Sequence, residues 1–184
     1  HCTKFACMVM RQQRHGRIIN TSSQAGLGNM GQANYSAAKE GIVGLTRTVA
    51  RDMGRYGITC NCIRPRAATR LTITPELEAA WKRAQAQGLP TLGEYDELKT
   101  LLPEHVAQFV VYLATDAASN INGQVFLVGG NMVALYPEPE PIKFLFKETG
   151  DCWTAEELVE TMPKTLSKDI VNPSPPSPLE AAKK

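Results

Sequence analysis

"RIINTSSQAGLGNMGQANYSAAKEGIVGLTR", residues 17–47, decides the fold. It opens on "RIINTS", a short β-branched run typical of a buried strand. Residues 24–32 are glycines and small polar residues, which read as a loop. From Tyr35 to about Arg55 the pattern turns helical: Ala38, Ile42, Leu45, Val49 and Met53 recur at intervals of three and four and form an apolar stripe. Upstream, residues 3–14 read as a helix with Phe5, Met8 and Val9 on one face, broken by Gly16. Downstream, "ITCNCI" (58–63) is a second strand that carries Cys60 and Cys62 on one face and is closed by Pro65. "PELEAAWKRAQAQG" (75–88) is a helix with Pro75 in its first turn. A further helix runs from about Pro103 to Ala118, with Val106, Phe109, Val110 and Leu113 facing inward. It feeds a third strand, "GQVFLV" (123–128), which stops at Gly129–Gly130.

Apolar strands alternating with helices predict an α/β fold: a Rossmann-like doubly wound parallel sheet with right-handed crossovers and helices on both faces. Three strands make half of such a sheet. The expectation is that the N-terminal half of the domain lies upstream of His1 or that another chain completes the sheet. Residues 1–136 form this half-domain. Residues 137–184 form an extension with a proline-interrupted linker, "YPEPEP", and a short helix, "TAEELVETM", capped by Thr154 with Glu157 three residues on. The tail, "NPSPPSPLEAAKK", is expected to be disordered.

The 184 residues carry a net charge of +2, with 43% hydrophobic and 21% charged residues. That balance gives no polyelectrolyte signal, so no nucleic-acid partner is expected. No apolar run approaches the roughly 18 to 20 residues that cross a bilayer, and no membrane association is expected. The basic, apolar start has no small-residue cleavage site and reads as an amphipathic helix, not a signal peptide. Cys2, Cys7, Cys60, Cys62 and Cys152 match neither a zinc site nor a disulfide framework, which points to reduced core thiols in the cytoplasm. His1, His15 and His105 are far apart and make no metal or triad motif.

Tyr35 and Lys39 stand at i and i+4, so both project from one helix face. Reducing a carbonyl needs a hydride on carbon and a proton on oxygen, and oxidation is the reverse. A free phenol releases its proton only near pH 10. An ammonium one turn away favours the phenolate and makes the phenol a usable acid and base. A serine hydroxyl can hold the same substrate oxygen.

"RIINTSSQAG", "GQANYSAAKEGIVGLTR", "GITCNCIRP" and "NGQVFLVGG" together resemble the C-terminal half of a short-chain dehydrogenase/reductase, from about Phe5 to about Leu135. Within that family, "GNMGQANYSAAK" and "RPRAATRLT" are similar to the dehydrogenase domain of multifunctional β-oxidation enzymes and to bacterial 3-oxoacyl reductases. The resemblance implies an NAD- or NADP-dependent oxidoreductase that interconverts a small-molecule secondary alcohol and a ketone, with 3-hydroxyacyl substrates on subfamily analogy. It implies catalytic roles for Ser23, Tyr35 and Lys39. It places Tyr35, Lys39, Pro65, Ala68 and Thr69 at the cofactor, Lys39 on the nicotinamide ribose. A homodimer or homotetramer is expected, and residues 71–102 fall where the family carries its substrate flap, with Trp81 and Tyr95 as candidate substrate contacts.

The chain departs from the family pattern in three places. The S-x-x-G pattern selects Ser23 through Gly26, whereas the family's usual spacing of thirteen before the tyrosine selects Ser22. Ser23 is preferred, because a strand end anchors the pattern locally while loops absorb deletions. Arg66 replaces the glycine that usually follows Pro65. Arg66 and Arg70 can serve an anionic substrate or cofactor phosphate, or be solvated charge, and Thr69 and Thr72 compete for one cofactor contact. The glycine-rich pyrophosphate turn, the NNAG motif and the asparagine of the proton relay have no counterpart, and Gly26, Gly28 and Gly31 are rejected as a cradle. Cofactor choice is therefore unreadable. The competing class is a non-catalytic assembly subunit that keeps the fold's oligomer surfaces. Reduced nicotinamide dinucleotide would neither be quenched by it nor stabilise it.

Overall fold

The three apolar runs form strands β1 (Gly16–Thr21), β2 (Ile58–Pro65) and β3 (Val125–Gly129). They lie side by side in that order, parallel throughout, with Gly16 opposite Ile58 and Cys62 opposite Val125. In the computed structural model, which describes residues 1–86, 95–147 and 152–173, a fourth strand β4 (Met132–Leu135) extends the sheet antiparallel to β3. The sequence reading ended the sheet at Gly129–Gly130. Instead Gly130, at φ +60°, and Asn131 make a two-residue turn of the kind that joins twisted antiparallel strands.

The long helix α2 (Ala33–Met53) covers one face of the sheet. Cys60, Cys62 and Val125 pack there against Val43, Val49 and Ala50. Cys7 joins them from α1 (Cys2–Gln13). Helix α5 (Pro103–Ala114) covers the other face, where Val106, Phe109, Val110 and Leu113 meet Ile63, Phe126 and Val128, as expected. Side chains alternate along each strand, so both faces can be apolar, as a sheet between helices requires. The remaining helices of this part are α3 (Pro75–Ala86) and α4 (Tyr95–Lys99).

Two expected apolar faces are adjusted. On α2, Ile42, Val49 and Met53 of the expected stripe reach the core, whereas Ala38 and Leu45 are exposed and Val43, Thr46 and Ala50 are buried in addition. A periodicity argument discounts Thr46 as polar. Its hydroxyl is satisfied in the core, accepting from Asn20 Nδ2 at 2.9 Å and donating to the Ile42 carbonyl at 2.8 Å. On α1, Phe5, Met8 and Val9 are all exposed, and the inward contact falls to Cys7. The chain also turns at Arg14, in the left-handed conformation, before reaching Gly16. All five cysteines are free, but only Cys60 and Cys62 are core thiols. Burial, the larger cause, with Cys7 and Cys62 nearby, pushes the Cys60 thiol up to about 12. Cys2 and Cys152 are exposed, against expectation.

A half-buried asparagine pins two elements together. Asn122 accepts the Cys60 N–H at 2.8 Å and donates to the Ala50 carbonyl at 3.0 Å, joining β2 to the last turn of α2. Asn122→Ala orphans both backbone groups and is expected to cost about 2 kcal/mol, read as a lower denaturant midpoint at unchanged m-value.

The chain divides into two units, His1–Glu138 and Pro139–Lys184. In the second, helix α6 (Ala155–Thr161) carries the expected reciprocal cap between Thr154 and Glu157. Most of the expected disordered tail, residues 174–184, lies outside the described residues. No helix among the described residues is long and apolar enough to cross a membrane.

Candidate active site

The C-terminal ends of β1 and β2 meet the first turns of α2, and the junction is built from the two serines and the lysine. Ser22 is 2% exposed, and its Oγ donates to the Lys39 carbonyl at 2.6 Å while its N–H bonds the Ile63 carbonyl at 2.8 Å. That hydroxyl is committed to fastening strand to helix. Ser23 leaves the strand extended, at φ −158° and ψ 155°, and its Oγ accepts the Ala25 N–H at 3.2 Å, capping the 3-10 turn Gln24–Leu27. An accepted bond uses a lone pair and leaves the O–H proton free to donate.

Lys39 Nζ donates to the Thr21 carbonyl at 3.1 Å and lies 5.6 Å from the centre of the Tyr35 ring. One of its three N–H bonds is used there, and two remain. Tyr35 is 43% exposed in the first turn of α2. The structure thus ties residues 21 and 22 to Lys39 by two hydrogen bonds, and Tyr35 stands one turn before that knot.

After β2 the chain crosses the strand ends. Pro65 is half-buried, and the Arg66 N–H bonds the Val128 carbonyl at 2.7 Å. The Ala68 N–H is taken by the Leu101 carbonyl, so Ala68 offers a ligand only its methyl and its own carbonyl. Thr72 Oγ1 accepts the Thr69 N–H at 2.8 Å and donates to the Ala67 carbonyl at 2.9 Å, closing a turn. Its hydroxyl therefore serves the loop, and the exposed Thr69 also accepts the Leu71 N–H on its Oγ1 at 3.3 Å. Trp81 and Tyr95, candidate substrate contacts, pack against each other with ring centres 6.0 Å apart. Tyr95 is buried and its hydroxyl donates to the Thr74 carbonyl at 3.2 Å, so it anchors α4. Part of the expected flap, residues 87–94, lies outside the described residues.

The sequence reading missed Arg64. Its side chain is 3% exposed, Nη1 donates to the Ser23 carbonyl at 2.9 Å, and Nη2 pairs with Glu40 Oε2 at 2.8 Å. Its guanidinium also lies 5.0 Å from the Tyr136 ring centre. The available signal was an arginine inside an otherwise uncharged, buried central strand, where an unpaired charge is not tolerated.

Residues 1–132 match the family model described as enoyl-(acyl carrier protein) reductase. The hydroxyacyl-CoA dehydrogenase ChsB1 of Mycobacterium tuberculosis is 43% identical over 148 residues, which is 80% of this chain and 43% of that protein. The 3-oxoacyl-[acyl-carrier-protein] reductase of Synechocystis is 44% identical over 135 residues, 72% of this chain and 50% of that one. The crystal structure of a short chain dehydrogenase from Mycobacterium avium superposes with a TM-score of 0.68 at 35% identity, covering 96% of this chain and 54% of the other. The chain spans about half the length of the relatives it matches.

Proposed function

This chain belongs to the short-chain dehydrogenase/reductase family, and from that premise we propose that it carries the proton-transfer half of an NAD- or NADP-dependent site interconverting a secondary alcohol and a ketone. The observation that carries the proposal is the knot at Lys39: two hydrogen bonds fasten the serine-bearing strand end to the helix turn that carries the ammonium, and the Tyr35 ring centre lies 5.6 Å from it. In reduction Tyr35 gives its phenolic proton to the carbonyl oxygen, and in oxidation it takes that proton back. Ser23 donates a hydrogen bond to the same oxygen. The free O–H proton of Ser23 and the commitment of Ser22 to the Lys39 carbonyl support Ser23 as the substrate contact. Lys39 places its ammonium 5.6 Å from the centre of the phenol ring.

The residues present fit the nicotinamide-ribose end of a dinucleotide. Lys39 has two N–H bonds to spare, and the Pro65–Thr69 turn presents Thr69 outward. A dinucleotide held there would supply or accept the hydride of the reaction. Pro65 and Ala68 would offer it apolar surface and Thr69 a hydroxyl. By the names of the relatives, the substrate class is a 3-hydroxyacyl or 3-oxoacyl thioester. The family to which the chain belongs supports a homodimer or homotetramer, and five free cysteines suit a reduced cytoplasmic protein.

The test adds a 3-oxoacyl thioester and either reduced dinucleotide to the protein as the cell makes it, and follows nicotinamide absorbance. Oxidation of one dinucleotide, dependent on the thioester, is expected. Failure to bind either dinucleotide would leave a non-catalytic assembly subunit as the better account.

A further inference from the structure

We propose that Arg64 is a positioning residue for the reaction: with Glu40 it clamps the peptide of Ser23 to the helix turn carrying Lys39, and so sets where the serine hydroxyl points. The inference rests on the dehydrogenase reading of the site and adds a residue to it. Arg64 leaves β2 at the strand's C-terminal end and reaches two elements at once. Nη1 holds the Ser23 carbonyl at 2.9 Å, and Nη2 holds Glu40 at 2.8 Å. Glu40 is the residue after Lys39, so the guanidinium spans the two groups whose relative placement the proton transfer needs. A planar fork with fixed donor directions does this, and a flexible ammonium reaches one acceptor at a time.

Two further observations point the same way. A Cβ at Gly26 would lie 2.8 Å from Glu40 Oε2 and 3.0 Å from Arg64 Nη1. The glycine that ends the S-x-x-G pattern is therefore the space in which the ion pair sits. Arg64 Nε, in addition, is buried without a hydrogen-bond partner among the described residues. A buried cation whose carboxylate partner among the described residues is half-exposed is a poor source of stability, because desolvation offsets the attraction. Its presence in the strand is better explained by the geometry that it imposes on Ser23.

The experiment is a double-mutant cycle in the natural full-length protein, with kcat, KM and dinucleotide Kd measured for each variant. Arg64→Met is expected to lower kcat about tenfold or more with the dinucleotide Kd within about twofold, since it misplaces a group used in the transition state. In a Ser23→Ala background the same substitution is expected to cost less than about twofold, because the hydroxyl it positions is gone. An equal loss in both backgrounds overturns the clamp and leaves Arg64 a structural residue. Glu40→Gln, half-exposed and isosteric, runs the same cycle if Arg64→Met does not fold, with an expected loss of about threefold that likewise vanishes beside Ser23→Ala. Full turnover in Ser23→Ala alone removes the serine assignment and the clamp with it. A protein that binds no dinucleotide removes the dehydrogenase reading itself.

Discussion

Tyr35→Phe is expected to lower turnover by roughly 10²- to 10⁴-fold, the range that a positioned proton donor supplies, in both directions of the reaction. The substitution deletes one oxygen and no packing. Tyr35 is 43% exposed and its hydroxyl bonds nothing among the described residues, so neither a core contact nor a hydrogen bond of the fold is lost. Thermal midpoint and dinucleotide Kd are therefore expected to stay within error of the parent protein. The comparison is sharp because the ammonium still faces a ring 5.6 Å away and keeps its bond to the Thr21 carbonyl. Turnover within a few-fold of the parent would remove Tyr35 from the proton path. Lost turnover together with lost dinucleotide affinity would instead make the phenol a binding group.

The strands and helices that build this site were legible because their apolar content follows the periods of buried strands and amphipathic helices. Strand β4 escapes a sequence reading although Gly130–Asn131 is a hairpin signal, because the double glycine reads as a stop and "MVAL" is apolar at every position, with no alternation to mark a strand. On α2 the expected stripe finds Ile42, Val49 and Met53 but passes over Thr46, which enters the core only because Asn20 and the Ile42 carbonyl satisfy it, a tertiary fact that no periodicity carries. The exposed side of α1 was misjudged for the opposite reason, because apolar spacing marks a face without saying what covers it. The tyrosine and lysine could be picked out from spacing together with family resemblance. The two serines could not be separated that way, because spacing and local pattern chose different residues. Hydrogen bonding distinguishes them: one hydroxyl is consumed by the Lys39 carbonyl, and the other caps a turn with its proton free. Arg64 shows the limit most clearly. A charge inside a strand announces a partner, but Ser23 and Glu40 become its partners only once β1, β2 and α2 are assembled.

Lys39→Ala is expected to differ from Tyr35→Phe by failing in two measurements at once. Removing the ammonium leaves the phenol without its neighbouring positive charge, and turnover is expected to fall about 10²-fold or more. The same group is assigned to the nicotinamide ribose, and losing a charge-assisted hydrogen bond there is expected to raise the dinucleotide Kd about tenfold. Two structural consequences must be kept apart from these. The Thr21 carbonyl loses its donor from Nζ, but the bond is solvent-accessible and water can replace it, so the stability cost is expected to stay near 1 kcal/mol. The Ser22 bond goes to the backbone carbonyl of residue 39 and survives the substitution, so the strand–helix junction holds. Kd and kcat then report on two separate duties. If Kd stays unchanged while turnover collapses, Lys39 acts on the phenol alone and the ribose contact is wrong. If Kd rises while turnover at saturating dinucleotide is retained, the charge on the phenol is dispensable and Tyr35 is tuned by something other than Lys39. If neither moves, the Tyr35–Lys39 turn is a surface helix that happens to carry an aromatic and a charge, and the proposed chemistry must be sought elsewhere in the fold.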